Sequence, residues 1–240
     1  MNRATIILAV FIVGCGDTAP SRAPVGKPRP HSTPAHSHGA SSQTQSATTY
    51  DFKALTEGMI VGRTQDDELY DIVFPGDMIP NVDVITAQGK SAQIVYGIRI
   101  AENEPIMMLK LVHFSQVAPL GVQQITATSG NKSATHRFPS NMVSRQTVKG
   151  VTIEFATMLP YVEPSAGQFL DVTRYSKAYN VEVKGAGGFT TFSPGSKARK
   201  HASRMLTLFS ALKQRPEFVT DIQRNALSFA EFQQALLQGL

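Results

Sequence analysis

Residues 92–114 read AQIVYGIRIAENEPIMMLKLVHF: two apolar runs, Ala92 to Ile100 and Ile106 to Phe114, parted by Ala101-Glu102-Asn103-Glu104-Pro105. Apolar segments of this length, rich in β-branched and aromatic side chains and separated by a polar cluster, predict an antiparallel hairpin. The same grammar extends in both directions. Met59 to Arg63 and Glu68 to Phe74 flank Thr64-Gln65-Asp66-Asp67, a second hairpin. Gln123 to Thr128 and Ser133 to Phe138 flank Ser129-Gly130-Asn131-Lys132, and Tyr179 to Lys184 runs through Gly185-Ala186-Gly187-Gly188 into Phe189 to Phe192. Val151 to Leu159 and Phe169 to Tyr175 add two further strands. About ten strands joined mostly by tight turns predict a mainly β fold, an antiparallel sandwich or open barrel.

The pattern changes after Ser193-Pro194-Gly195-Ser196. Ala198, Ala202, Met205, Leu206, Phe209 and Leu212 recur at helical spacing between Lys197 and Lys213, with Ser196 as the expected N-cap. Ser228-Phe229-Ala230-Glu231 is a capping box that opens a last helix, Phe229 to Gln238, with Phe232, Ala235 and Leu236 toward the core. Pro216 to Asn225 fits a short helix between the two. Residues 50–240 thus form one globular domain, β-rich over 50–192 with a helical C-terminal subdomain over 196–240. A domain of this size buries roughly 70% of its unfolded surface, and the chain is 42% hydrophobic. No repeat with a period of 20 to 50 residues is visible, which argues against a solenoid or propeller.

The first residues obey another logic. MNRATIILAVFIVGCGDT places one basic residue, Arg3, before an apolar run from Ala4 to Val13 that ends at Gly14-Cys15. This is the charged and apolar layout of a secretory signal over residues 1–14. A helix over that run rises only ~15 Å, about half of a hydrocarbon core, so it is too short for a permanent membrane span. Ile12-Val13-Gly14-Cys15 resembles the lipobox of bacterial lipoproteins, with isoleucine where leucine is commoner. The resemblance covers residues 1–18. It implies acylation of the Cys15 thiol by diacylglycerol, cleavage in front of that residue, a palmitate-type lipid anchor and membrane attachment in the bacterial cell envelope. By the sorting rule of enterobacterial lipoproteins, Gly16 in place of aspartate implies the outer membrane.

Cys15 is the single cysteine of the chain. An unpaired thiol in an oxidising compartment makes no internal disulfide, and once Cys15 is acylated the domain holds no thiol for catalysis or metal binding. Between anchor and domain, residues 15–49 are dense in Pro, Ser, Thr, Ala and Gly and almost lack large apolar side chains. Such a segment cannot offset an ordering entropy of ~1 to 2 kcal/mol per residue, and reads as a disordered tether. His31, His36 and His38 lie in it. They can bind a transition metal when unprotonated, but with no fixed geometry they read as part of a solvated linker, and no metal or other cofactor is expected.

Net charge is +5, unevenly spread: residues 51–104 carry ten acidic and four basic residues, and residues 105–240 seven acidic and fifteen basic. The densest cluster, Lys197, Arg199, Lys200, His201 and Arg204, opens the first C-terminal helix. Lys197, Arg199, Lys200 and Arg204 are the candidate anion-binding residues, for headgroups or cell-wall polymers, against the plainer reading of a solvated helix face. Nucleic acid is argued against by the envelope address, the acidic half of the domain, the absence of tryptophan and the lack of aromatics among these cations.

Chemistry is sparse. The chain has no G-x-S-x-G elbow, no phosphate-cradling G-x-x-x-x-G-K-[ST], no G-x-G-x-x-G and no H-E-x-x-H. Ser129-Gly130-Asn131-Lys132 satisfies the S-x-x-K spacing of a lysine-activated serine, but Gly-Asn is turn chemistry and no S-D-N or K-T-G follows. Asp66, Asp67 and Glu68, or Glu102 with Glu104, supply paired carboxylates only in exposed turns. Asp66 and Asp67 can share calcium with Asp71, though the ordered spacing of a calcium loop is missing. His113 and His136 end different strands. No catalytic residue is assigned. The expectation is a non-catalytic lipoprotein that binds an envelope protein or anionic polymer, or scaffolds an assembly. The alternative is an envelope hydrolase whose site is assembled from distant residues.

Overall fold

The structure is a computed structural model that describes residues 51–64, 69–77, 88–148 and 150–238. The signal, Cys15, the tether histidines and Asp66, Asp67 and Glu68 lie outside the described residues. The deciding hairpin forms as expected: β3 (Lys90–Ala101) and β4 (Glu104–Ser115) pair antiparallel from Lys90↔Ser115 to Ala101↔Glu104. Its turn is shorter than the five residues expected. Only Glu102 (φ 50°) and Asn103 (φ 66°) turn, both in the left-handed region, as a primed two-residue hairpin requires. Asn103 adopts that region readily, whereas Glu102 pays about 1–2 kcal/mol for it.

Around this hairpin β1 (Ile60–Arg63), β2 (Tyr70–Val73), β7 (Val143–Val148) and β8 (Val151–Met158) complete a six-stranded antiparallel sheet, in the order β1-β2-β3-β4-β8-β7. A second, four-stranded sheet has the order β10-β9-β5-β6. It contains β5 (Val122–Ser129), β6 (Lys132–Arg137), β9 (Asn180–Gly185) and β10 (Gly188–Phe192). The fold is mainly β, with two open antiparallel sheets and helices at the C-terminus.

The helices are α1 (Phe52–Thr56), α2 (Pro164–Arg174), α3 (Ser196–Gln214), α4 (Glu217–Arg224) and α5 (Phe229–Gln238). Among the described residues no helix is long and apolar enough to cross a membrane. Helix α2 corrects the strand expected at Phe169 to Tyr175. Its buried residues include Ala166, Phe169, Leu170 and Thr173, the i, i+3, i+4, i+7 spacing of one helix face, and Pro164 sits in its first turn. The β-branched and aromatic content of Phe169-Leu170-Asp171-Val172-Thr173-Arg174-Tyr175 had pointed to a strand; packing against β5 and β6 decides for the helix. Ser196 is not an N-cap. Gly195 takes that place in extended conformation, and α3 starts at Ser196 with no side-chain cap. The capping box is present: Ser228 N–H donates to Glu231 Oε2 (2.9 Å) and Glu231 N–H to Ser228 Oγ (3.4 Å).

One apolar core lies between the sheets and helices. It joins Ile72, Ile98, Leu109 and Leu111 of the six-stranded sheet to Ile125, Val181 and Val183 of the four-stranded sheet, with Phe169 of α2 and Met205, Leu208 and Leu212 of α3. Strands and C-terminal helices therefore share a single interior. The opposite face of the six-stranded sheet carries Val73, Val95, Val112, Phe114, Val151 and Ile153 and is covered by Phe232 and Leu236 of α5. Gly62 allows that close approach, since a Cβ there would stand 2.0 Å from Phe232 Cγ.

Candidate functional site

Among the described residues, the four-stranded sheet has no such cover on its outer face. Strand alternation sends Ile125, Ala134, His136, Val183 and Thr190 inward, and Gln124, Thr126, Thr135, Arg137, Glu182, Lys184 and Phe189 outward. Register places Phe189, Lys184, Gln124 and Arg137 in one row across all four strands. The row is ~14 Å long, three interstrand spacings. Between Val122 and Gln124 the pairing with β9 shifts register, a bulge at Gln123. A bulge breaks alternation, so consecutive glutamines both line the same hollow. That hollow is a shallow cleft of about 590 Å³ bounded by Gln123, Gln124, Arg137, Lys184, Gly185, Gly188 and Phe189. Phe189 is 56% exposed, and its carbonyl accepts from Lys90 Nζ at 2.8 Å. Lys184 pairs with Glu182 at 3.3 Å on the surface.

A polar row, buried at His113 and Glu154 and open to water at Arg145, holds this cleft from behind. His113, Glu154 and Arg145 are register partners across β4, β8 and β7. Glu154 is fully buried. Its carboxylate accepts from the N–H of Leu120 (2.7 Å), Gly121 (2.9 Å) and Val122 (3.4 Å) and from Arg145 Nη2 (2.9 Å). His113 Nδ1 stands 3.4 Å away. Burial pushes the Glu154 carboxyl up, but His113, Arg145 and the two nearest backbone N–H groups outweigh it and hold the group at about 2. The segment thus clamped then receives the β9–β10 turn, with Gly187 N–H donating to Leu120 O (2.8 Å) and Ala186 N–H to Gly121 O (3.2 Å). Gly185 fits there because it lacks a Cβ, which would lie 2.3 Å from Leu120 O. His113 Nε2 meets Thr190 Oγ1 at 3.2 Å, which ties β4 to the residue beside Phe189.

The residues expected from sequence are placed apart from this cleft. His136 faces inward from β6 and meets Ser165 Oγ of α2 at 2.9 Å, so the two histidines serve different contacts. Burial lowers the His136 pKa below its ordinary value, against the field of Glu163. Ser129 and Lys132 are the closing pair of the β5–β6 hairpin, and the serine hydroxyl donates to Ala178 O at 2.9 Å. Asp71, the described member of the carboxylates weighed for calcium, faces cationic side chains. Its buried carboxylate is engaged by Arg99 (2.8 and 2.9 Å) and approached by Lys110 at 3.6 Å. These two cations outweigh burial and hold it below the usual carboxylate range. Glu104 pairs with Lys213 at 2.8 Å, and Glu102 forms the hairpin turn. Among the described residues no group of three or more His, Cys, Asp or Glu side chains is placed to hold a metal.

The basic cluster divides. Arg204 Nη2 donates to the carbonyls of Ala54 (2.8 Å), Leu55 (3.1 Å) and Glu57 (2.6 Å), closing the C-terminal end of α1. Arg199 donates to Pro194 O. His201 stacks on Phe74 with ring centroids 3.8 Å apart and meets Asp77 Oδ1 at 2.8 Å. Burial raises the Asp77 pKa despite His201 and Lys197. Lys197 and Lys200 are exposed. The cleft residues Gln123, Gln124, Arg137, Lys184 and Phe189 were not singled out from sequence. Their outward strand positions were legible, but their meeting in one row depends on the β5–β9 pairing and on the bulge. Compared with known proteins, the chain matches no family model, no curated protein and no solved structure.

Proposed function

We propose that the chain is a bacterial envelope lipoprotein, tethered to the outer membrane through acylated Cys15, whose β-rich domain binds an envelope component without transforming it. The binding face is the bare outer face of the four-stranded sheet. One contrast carries this reading: the reactive side chains are sealed between the sheets, whereas an exposed aromatic ring, two amides and two cations converge on an open cleft. A long tether serves such a domain by letting it search the space above the membrane. The anchor is tested by growing cells expressing the full chain with an alkyne-tagged fatty acid. Label on the wild type and its loss in Cys15→Ser, together with release from the membrane fraction, support it; label that survives in Cys15→Ser overturns it.

A hydrolase reading has one specific observation in its favour. Thr190, His113 and Glu154 form a hydroxyl–imidazole–carboxylate line with spacings of 3.2 and 3.4 Å. Thr190 is only 5% exposed and His113 1%, so a substrate carbonyl reaches the hydroxyl only after β10 moves. Turnover of esters or amides by the full chain, abolished in Thr190→Val, establishes this reading instead.

A further inference from the structure

We infer that the cleft on the four-stranded sheet binds an acidic glycan, a saccharide chain bearing carboxylate or phosphate groups. The inference rests on the proposed binding face and names its ligand. Phe189 offers an aromatic face to solvent at one end of the row, a platform for the C–H face of a sugar ring. Gln123 and Gln124 each bring a planar amide with two donors and one acceptor, suited to neighbouring hydroxyls. Arg137, at the other end, is exposed and forms no ion pair among the described residues. Its guanidinium matches a carboxylate or phosphate in bidentate fashion. Lys184 sits between these groups, one strand from Phe189 and one from Gln124.

Among the described residues no carboxylate lines the cleft, although Lys184 is paired at 3.3 Å with Glu182 beside it, which leaves Arg137 as the cation open to an anion. Glu182 lies in the next row, where Thr126 and Thr135 share a hydrogen bond of 2.9 Å and continue the polar surface. The row runs the full width of the sheet, so a linear polymer can lie along it. Other occupants fit less well. A single-stranded nucleic acid wants successive aromatics, and among the described residues Phe189 is the one aromatic lining the cleft. A peptide adding as a strand uses a sheet edge rather than a face. A bilayer wants an apolar face, and this hollow is lined by amides and cations.

The test is affinity electrophoresis of the full chain in native gels containing polygalacturonate or phosphomannan, with neutral dextran and poly-glutamate as controls. Retardation by one or both acidic glycans and by neither control is the expected result, and the gel that retards tells carboxylate from phosphate. Arg137→Gln and Phe189→Ser should each weaken the interaction about tenfold or more, the scale of a charge-assisted hydrogen bond or a buried aromatic contact. Lys53→Gln, an exposed cation on α1 outside the cleft, should leave it unchanged. Retardation by neither glycan, equal retardation by poly-glutamate, or retardation indifferent to both cleft variants overturns the inference. If the chain captures an envelope component through a Phe189-dependent contact yet ignores both glycans, the binding face stands and the ligand class falls. Fatty-acid labelling at Cys15 is read separately and is unaffected by either result.

Discussion

The two sheets differ in what lies on their outer faces, and the difference follows from their strand patterns. The six-stranded sheet turns Val73, Val95, Val112, Phe114, Val151 and Ile153 outward, and α5 seals them with Phe232 and Leu236. The four-stranded sheet turns Gln124, Thr126, Thr135, Arg137, Lys184 and Thr191 outward, and α2 covers only its inner side. A sheet with two apolar faces requires a second layer, whereas one that alternates can leave a face to water. The first arrangement serves stability, and the second leaves a surface available for binding.

The largest expected effect breaks the covered side. Phe232→Ala removes the anchor of α5, a ring 1% exposed against the six-stranded sheet. Truncating a buried phenylalanine costs ~3–5 kcal/mol, and here the helix has few other anchors. Denaturant unfolding followed by circular dichroism should show that loss, together with exposure of the apolar sheet face to a hydrophobic dye. An unchanged midpoint would mean that α5 is not what holds this face.

The second effect concerns what supports the bare side. The Glu154 carboxyl titrates at about 2 in the fold, below its ordinary 4.5, so its ionised form favours the folded state. That stabilisation is complete above pH 4.5 and drains away as pH falls toward 2, on the order of 3 kcal/mol. Buried Asp71, also held below its usual range, adds to the acid limb in the same direction. Glu154→Gln should lose much of this stability at pH 7 and flatten the acid limb between 4.5 and 2. A variant with the wild-type acid profile would assign the limb elsewhere. Because Glu154 clamps Leu120 to Val122, and that segment carries the β9–β10 turn, amide exchange near Gly187 should accelerate in the variant.

These two regions were unequally legible in the sequence. Residues 92–114 announced their hairpin because two long apolar runs met one polar break, and the capping box at Ser228 announced α5 through a local pattern. Strand β7, Val143-Ser144-Arg145-Gln146-Thr147-Val148, was missed because it is a polar edge strand with little apolar content. Helix α2 was misread because Val172 and Thr173 favour strands locally while the buried positions repeat with helical spacing. The cleft was hidden for a different reason. Phe189, Lys184, Gln124 and Arg137 lie on four strands spread from residue 124 to residue 189, and only pairing register makes them neighbours. The basic cluster on α3 was visible as a run of charge, but charge alone does not tell a free guanidinium from one that caps a helix, as Arg204 does.

Arg204 gives an intermediate effect. Its guanidinium donates to three carbonyls at the end of α1 and lies 5.2 Å from the centroid of the Phe74 ring. Arg204→Gln should cost about 1–2 kcal/mol, less than a buried charge because the site is partly open to water. Retention on an anionic matrix should change little, since the guanidinium is already engaged. A variant of normal stability with much weaker retention would restore Arg204 to the anion-binding role read from its sequence.

The smallest effect on stability tests why the four-stranded sheet stays bare. Thr126 and Thr135 face each other across β5 and β6 with hydroxyls 2.9 Å apart, and both look outward. Valine has the same branched shape and suits a strand equally, so Thr126→Val with Thr135→Val should shift unfolding by no more than about 0.5 kcal/mol. What should change is behaviour at high concentration. Two valines on the same outer face as exposed Phe189 would add apolar surface that no described helix covers, and such a patch invites self-association. Sedimentation at increasing concentration should therefore detect dimers in the double variant before any loss of fold. If the variant stays as dispersed as the wild type, the threonines are not what keeps this face soluble, and the cations Arg137 and Lys184 must do so, the same groups to which the cleft owes its expected affinity for an acidic chain.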